Sequence, residues 1–311
     1  MEVFAVRVVV GFGINPEVSV RHSAATTQKV PAEIDMSIAG TSVNVAFSLR
    51  RHGHSVHLIG MIGRGCPYEG FLSQALRAQG VTHNLMRVKE KTSIAVVDLP
   101  ESGPMTLFSE KSRYLKNPCE AVQRVVRQKR PTHIMATGVT PQDADLVEAM
   151  FDVVTSEVVR VFNPRFQLIQ ERQMFERLLA KSTVVSANEE EFLNYSGNGH
   201  VTFGDMAKLH RFGPQLVLVT QDARGAMLST STGITIRQPA VQIGKFADEV
   251  GAGDCFLAHF THGLASGLGE AKAMEFAAAV AAIKVTKIGG SNVPTLDEIK
   301  HHLAQILTLA G

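Results

Sequence analysis

The chain has no tryptophan, and that absence alone excludes nothing. Its other shortages are more telling. No apolar run reaches the roughly 18 residues that a membrane-crossing helix needs, so no membrane partner is expected. Lysine and arginine exceed aspartate and glutamate by only two, 31 against 29, so nothing marks a surface dedicated to nucleic acid. Cys66, Cys119 and Cys255 are odd in number and far apart. They form neither a disulfide framework nor a metal-ligand spacing, which fits a reducing compartment. The opening stretch Met1–Arg7 lacks a basic region followed by an apolar run and a cleavage site, so no secretion leader is expected and the setting reads as cytoplasmic.

What is present is the material for a core. Apolar residues make up 45% of the 311 and charged residues only 19%, unlike a disordered chain. No repeat, linker or low-complexity segment divides the sequence, so one domain over 1–311 is expected. Val6–Val10 is a β-branched run ending in Gly11-Phe12-Gly13, which reads as a buried strand feeding a glycine turn. The third glycine of a dinucleotide fingerprint is missing and no helical pattern follows. Pro16 and the alternation Val18-Ser19-Val20 predict a turn and then a strand.

Further strands are expected at 56–63, 132–138, 158–162, 183–186 and 216–220. Helices are expected at 43–49, 71–79, 120–128, 142–154, 175–180 and 271–287, with another starting at Asn188. Residues 92–99 and 105–110 alternate around Glu101-Ser102-Gly103-Pro104, a hairpin signal. A second hairpin is expected at 226–237. Strands drawn from 14–36 and 90–112 are expected to form a small sheet that covers a substrate and keeps water out. Strands alternating with helices predict a largely parallel sheet, with ligand loops at the strand C-terminal ends.

The stretch most suited to chemistry is Asp248-Glu249-Val250-Gly251-Ala252-Gly253-Asp254, followed at once by an apolar helical pattern. Small residues let a backbone turn tightly and approach a ligand. A helix starting near Gly253 would aim free N–H groups and its dipole at an anion. Asp254 would stand at the mouth of that hole, suited to taking a proton from an attacking hydroxyl. An Asp/Gly turn capping an ordinary helix is the plain alternative. Asn188 and Glu191 have capping-box spacing, and the same carboxylate suits a hydrated magnesium ion.

Asp-x-x-Gly-Ala-Gly-Asp before an apolar helix resembles the signature of the ribokinase-like (PfkB) sugar and nucleoside kinases. The resemblance implies an α/β fold, a three-layer α/β/α sandwich with a mostly parallel central sheet and a small β lid. It implies ATP-dependent phosphorylation of a hydroxyl on a sugar, sugar acid or nucleoside. In its terms Asp254 is the base, and the amides of Gly251, Ala252 and Gly253 form the anion hole. Gly40 and Asn44 match the family's substrate loop, with Ala39 in place of its first glycine. Arg165 follows an Asn-Pro pair and is suited to a substrate phosphate or carboxylate, or to solvent. Asn188, Thr220, Gly225, Gly253 and Gly290 fall on the nucleotide side. Glu191 would hold Mg2+ through water, and Asp248 either helps bind a monovalent cation such as K+ or is a simple turn residue. The lid is suited to pairing with another subunit's lid in a homodimer.

Two departures stand out. The family's first substrate Asp is absent, leaving Asn15 or Glu17 in that stretch. Gly63-Arg64-Gly65-Cys66-Pro67-Tyr68-Glu69-Gly70 lacks the Asp of the family's Gly-x-Asp-x-x-Gly. They motivate an alternative from another class, a non-catalytic ligand-binding protein that keeps the fold.

Overall fold

The computed structural model describes residues 5–23, 32–100, 106–109 and 112–309. Its strands, in chain order, are β1 (Arg7–Phe12), β2 (Asn15–His22), β3 (Glu33–Ala39), β4 (Ser55–Gly63), β5 (Thr82–Lys89), β6 (Ala95–Pro100), β7 (Thr106–Ser109), β8 (His133–Val139), β9 (Val159–Pro164), β10 (Val184–Asn188), β11 (Leu216–Thr220), β12 (Ala226–Thr230) and β13 (Thr235–Gln238). The helices are α1 (Thr41–Arg51), α2 (Glu69–Ala78), α3 (Cys119–Lys129), α4 (Ala144–Asp152), α5 (Phe166–Gln170), α6 (Arg172–Leu179), α7 (Glu189–Ser196), α8 (Phe203–Ala207), α9 (Ala252–Ala265), α10 (Glu270–Lys284) and α11 (Leu296–Leu309). None of the described helices is long and apolar enough to cross a membrane.

Among the described residues the large sheet runs β13-β12-β11-β10-β9-β8-β1-β4-β5. Pairing is parallel from β5 to β11 and antiparallel at β12 and β13. Strands β1 and β4 are buried almost end to end, as strands covered on both faces must be. Val8 and Val10 pack into a core shared with α1, α2, α9 and α10. Val9 and Phe12 pack into the opposite core, built with α3, α4, α6 and α7. The expected three-layer sandwich is therefore present.

A separate sheet has the order β3-β2-β6-β7 among the described residues, and it uses the segments expected for a lid. The tip of its expected hairpin, residues 101–105, lies outside the described residues. Pro16 is inside β2, not in a turn before it. It pairs with Ile38 of β3, whereas the β6 pairing begins one residue later at Glu17. A residue without an N–H is tolerated at that end of the strand. The sequence reading also passed over β5, α5 and α8. Strand β5 is polar and lies at the sheet edge, so its extended form comes from pairing with β4. The helix expected over 142–154 begins as a 3-10 turn at Pro141–Asp143 and continues as α4.

Four histidines are packed where α1 meets α9. His52 stacks on His262 with ring centroids 3.8 Å apart, and His54 Nε2 lies 2.9 Å from His262 Nδ1. His259 Nδ1 donates to the Cys255 carbonyl at 2.7 Å, and Phe276 closes the group. Burial, aided by repulsion from its neighbours, holds His52 down at about 2. Burial is likewise the first cause holding His54, His259 and His262 at about 4. Protons therefore bind the unfolded chain more readily than the folded one. The stability these rings contribute is present above the ordinary histidine value of about 6.5 and is lost as pH falls toward 4. Thermal unfolding followed by circular dichroism should show Tm dropping steeply between pH 6.5 and pH 4, and less steeply in His262→Gln. A Tm that is flat over that range would show that the cluster is not held neutral.

Candidate active site

The loop before α9 is held shut by one side chain. Asp248 Oδ1 accepts from the Val250 amide and Oδ2 from the Gly289 amide, both at 2.8 Å. The amides of Ala247 and Asp248 donate to the Val285 carbonyl at 2.8 and 3.1 Å. The stretch 247–250 is thus tied to the turn that follows α10. Of the two readings of Asp248, the turn role is the one its hydrogen bonds display. Gly251 caps α9 with φ 80°, and a Cβ there would come 2.8 Å from the Gly290 carbonyl and 3.2 Å from Asn44 Nδ2. A Cβ on Gly290 would come 3.0 Å from Asn44 Nδ2. Asn44 is wedged between these glycines, 5% exposed, and its Nδ2 donates to Asp254 Oδ2 at 2.8 Å.

The amides at the start of α9 differ from the expected trio. Ala252 N–H donates to the Glu249 carbonyl at 3.0 Å, so it is already engaged within the turn. Among the described residues, the amides of Gly251, Gly253 and Asp254 carry no internal hydrogen bond. Cys255 N–H, bonded to the Gly251 carbonyl at 2.9 Å, begins the helical ladder. The free donors are therefore those of residues 251, 253 and 254.

Asp254 is half-buried, and its Oδ1 has no hydrogen-bond partner among the described residues. Burial raises its carboxyl above the usual carboxylate range. The Asn44 bond and the charges of Arg165 and Lys284 oppose that rise. Glu191 is also raised, first by burial, with Asp254 adding to the rise and Arg165 opposing it. Arg165 thus acts on both carboxyls, and Asp254 on Glu191, although the three lie on different elements. Arg165 is exposed and its side chain makes no hydrogen bond among the described residues.

Asn188 and Glu191 form the capping box of α7. Glu191 N–H donates to Asn188 Oδ1 at 2.7 Å, and Asn188 N–H to Glu191 Oε2 at 3.0 Å. Asn188 stands beside Thr220 in the β10–β11 register, so both lie at strand C-terminal ends on the side of Glu191. Two glycines have packing reasons of their own. Gly40, at φ 120°, lies against the Gly13 carbonyl, and Gly225, at φ 93°, lies against the Gln238 carbonyl. Asn15 Nδ2 turns to the Pro16 carbonyl at 3.1 Å. Among the described residues no group of three or more His, Cys, Asp or Glu converges as a metal cage.

Three residues gain weight from the fold. Glu17 is only 6% exposed on β2. Its carboxyl is raised by burial and by the charge of Asp248, and lowered by that of Lys284. Asn163 joins strand ends, its Oδ1 accepting from Gly138 N–H at 3.1 Å and its Nδ2 donating to the Ser186 carbonyl at 2.8 Å. Lys284, which the sequence reading missed, is fully buried. It falls in helical register with buried Ala273, Ala277 and Val280, a spacing that could have flagged it.

The pattern of the pfkB family carbohydrate kinases matches residues 14–296. The chain is similar to the fructokinase of Klebsiella pneumoniae, 29% identical over 241 residues, which are 73% of this chain and 76% of that protein. It is also similar to the 5-dehydro-2-deoxygluconokinase of Listeria innocua, 24% identical over 288 residues and 86% of each chain. The solved structure of Arabidopsis thaliana ribokinase, complexed with ribose and ATP, matches with a TM-score of 0.77 and 20% identity. That match covers 96% of this chain and 99% of that one, a likeness of fold. With the family pattern spanning nearly its whole length over the matching three-layer fold, the chain belongs to the pfkB family of carbohydrate kinases, which are ATP-dependent carbohydrate or nucleoside kinases.

Proposed function

We propose that this chain moves the γ-phosphoryl of ATP to a hydroxyl of a sugar, sugar acid or nucleoside, with Asp254 as general base. The observation that carries the reading is the Asn44–Asp254 hydrogen bond at 2.8 Å, beside a helix start whose amides are free. That bond fixes one carboxylate oxygen and leaves Oδ1 open to a substrate hydroxyl. Burial, which raises the carboxyl above its ordinary range, makes it a stronger base than an exposed carboxylate. As the hydroxyl attacks, its proton passes to Asp254. The amides of Gly251, Gly253 and Asp254 face the charge gathering on the phosphoryl oxygens.

The remaining roles follow from position. Arg165 supplies positive charge between Asp254 and Glu191, for the donor phosphates or for an acidic group on the substrate. Asn188, Thr220, Gly225 and Gly290 border the nucleotide. Glu17, buried and without a hydrogen-bond partner among the described residues, accepts from substrate hydroxyls in place of the missing Asp, with Asn15 and Gly40 nearby in chain. The orphaned acceptor Asn44 Oδ1 costs about 1–3 kcal/mol while unpaired, which a ligand donor would relieve.

Magnesium fits the residues present. Glu191 keeps one oxygen outside its capping bond, and one carboxylate suffices where phosphate oxygens and water complete the shell. Glu191 would hold the ion, which would supply positive charge to offset that of the donor phosphates. The lid also has an outward apolar face. Register places Val18, Met36, Val96 and Phe108 on one side, opposite Glu17, and Met36 and Phe108 are 47% and 59% exposed. A second copy's lid is the occupant we assign to it.

In an ADP-release assay over sugars, sugar acids and nucleosides, Asp254→Asn should lower kcat by about a hundredfold to ten-thousandfold with unchanged folding. Ligand binding without turnover on every panel member would instead favour a non-catalytic binding protein. Glu191→Gln keeps the capping geometry, so it should raise the Mg2+ concentration for half-maximal rate by about tenfold or more while leaving Tm near wild type. An unchanged Mg2+ dependence would remove Glu191 from that role. Sedimentation of Phe108→Glu should give a smaller species than wild type, and identical sedimentation would rule out pairing through the lid.

A further inference from the structure

The floor of the anion loop contains an ammonium group. Lys284 is the last residue of α10, fully buried, and its Nζ donates to the Lys287 carbonyl at 3.1 Å. That carbonyl belongs to the same turn whose Gly289 amide binds Asp248 and whose Gly290 packs on Gly251. The ionisable groups around the ammonium come from every element that meets there. They are Asp248 and Asp254 from the anion loop and α9, Cys255 from α9, Lys287 from the turn and Glu17 from the lid.

A lysine at a helix C-terminus usually caps carbonyls with its head in water. Full burial separates Lys284 from that ordinary case. Taking an ammonium out of water costs several kcal/mol, and one carbonyl does not offset it. The charges of Asp248 and Asp254 act against that cost without cancelling it. Asp248 has both oxygens occupied by amides, so it offers little to a free ion. A monovalent cation placed beside it would also be repelled by the positive charge of Lys284, which acts on Asp248.

We infer that Lys284 is the tethered cation of the anion loop, a positioning residue that holds the 285–290 turn against the Asp248 loop and adds positive charge behind the free amides, so that the protein needs no K+. Burial holds its ammonium below the usual lysine range, and the charges of Asp248 and Asp254 oppose that without cancelling it. The catalytic part of the inference rests on the kinase reading above. Its binding part does not, because it is read from stability in the absence of nucleotide and substrate.

The test compares thermal unfolding in KCl and in tetramethylammonium chloride at equal ionic strength. Wild type should give the same Tm in both, and the same turnover. Lys284→Met removes the charge and keeps the stem. This variant should gain a saturable rise in Tm with KCl or methylammonium chloride but not with tetramethylammonium. Its lowered kcat should recover by about tenfold or more with the same ions, or ~1.4 kcal/mol of transition-state stabilisation. A saturable, K+-specific rise in the wild-type Tm would overturn the inference. So would a folded Lys284→Met whose Tm ignores every cation, since that marks Lys284 as a helix-end lysine only. If Lys284→Met does not fold, the wild-type comparison decides alone. Loss of turnover on every substrate with an intact cation response would count against the kinase reading and leave the tethered cation standing.

Discussion

A hydrogen bond between residues 210 apart in sequence, Asn44 to Asp254, joins the two halves of the site. Asn44 sits on α1 and Asp254 in the first turn of α9, and these helices pack together in one core. The bond needs both chain segments within reach of a side chain only four heavy atoms long. That reach exists because Gly251 and Gly290 have no side chains, and a Cβ on either would press on the Asn44 amide. A hydrogen bond to a charged group is worth about 1.5–3 kcal/mol, more than a neutral one. Here it also sets which oxygen of Asp254 stays open, so its larger effect is on geometry.

The parallel sheet converts this local geometry into a site. Strand C-terminal ends carry Arg165 after β9, Asn188 at β10 and Thr220 at β11, while α1 and α9 present Asn44 and Asp254 to the same end. The charges there are balanced by arrangement and not by tight ion pairs. Asp254 adds to the cost of ionising Glu191, Arg165 reduces that cost for both carboxyls, and Lys284 reduces it for Asp254. Among the described residues, the Arg165 side chain and the amides of Gly251, Gly253 and Asp254 have no internal hydrogen-bond partner. The lid enters the same balance through Glu17, whose carboxyl senses both Asp248 and Lys284.

Several parts of this arrangement were legible in the residues, and the failures have physical causes. The glycine-rich run before an apolar helix, the capping-box spacing of Asn188 and Glu191, and the buried β-branched strands all depend on contacts close in sequence. Strand β5 was invisible because its polar, irregular pattern is made extended by the neighbouring strand. Pro16 read as a turn because the sequence does not reveal that β6 pairing starts just after it. The Ala252 amide was counted as free, and the tight turn from Glu249 uses it. Lys284 was overlooked because a lysine at a helix end usually reaches water, whereas here it is fully buried.

By itself, the sequence determined the alternation of strands and helices, the parallel sheet and the kinase signature, because hydrophobic periodicity and glycine spacing act over a few residues. The tertiary structure alone decided which side chains share a space. Asn44 meets Asp254, Arg165 acts on both carboxyls, the charges of Asp248 and Lys284 act on Glu17 of the lid, and Lys284 is fully buried. Such meetings depend on how helices from distant segments pack over one sheet, and no local pattern encodes the resulting burial or field.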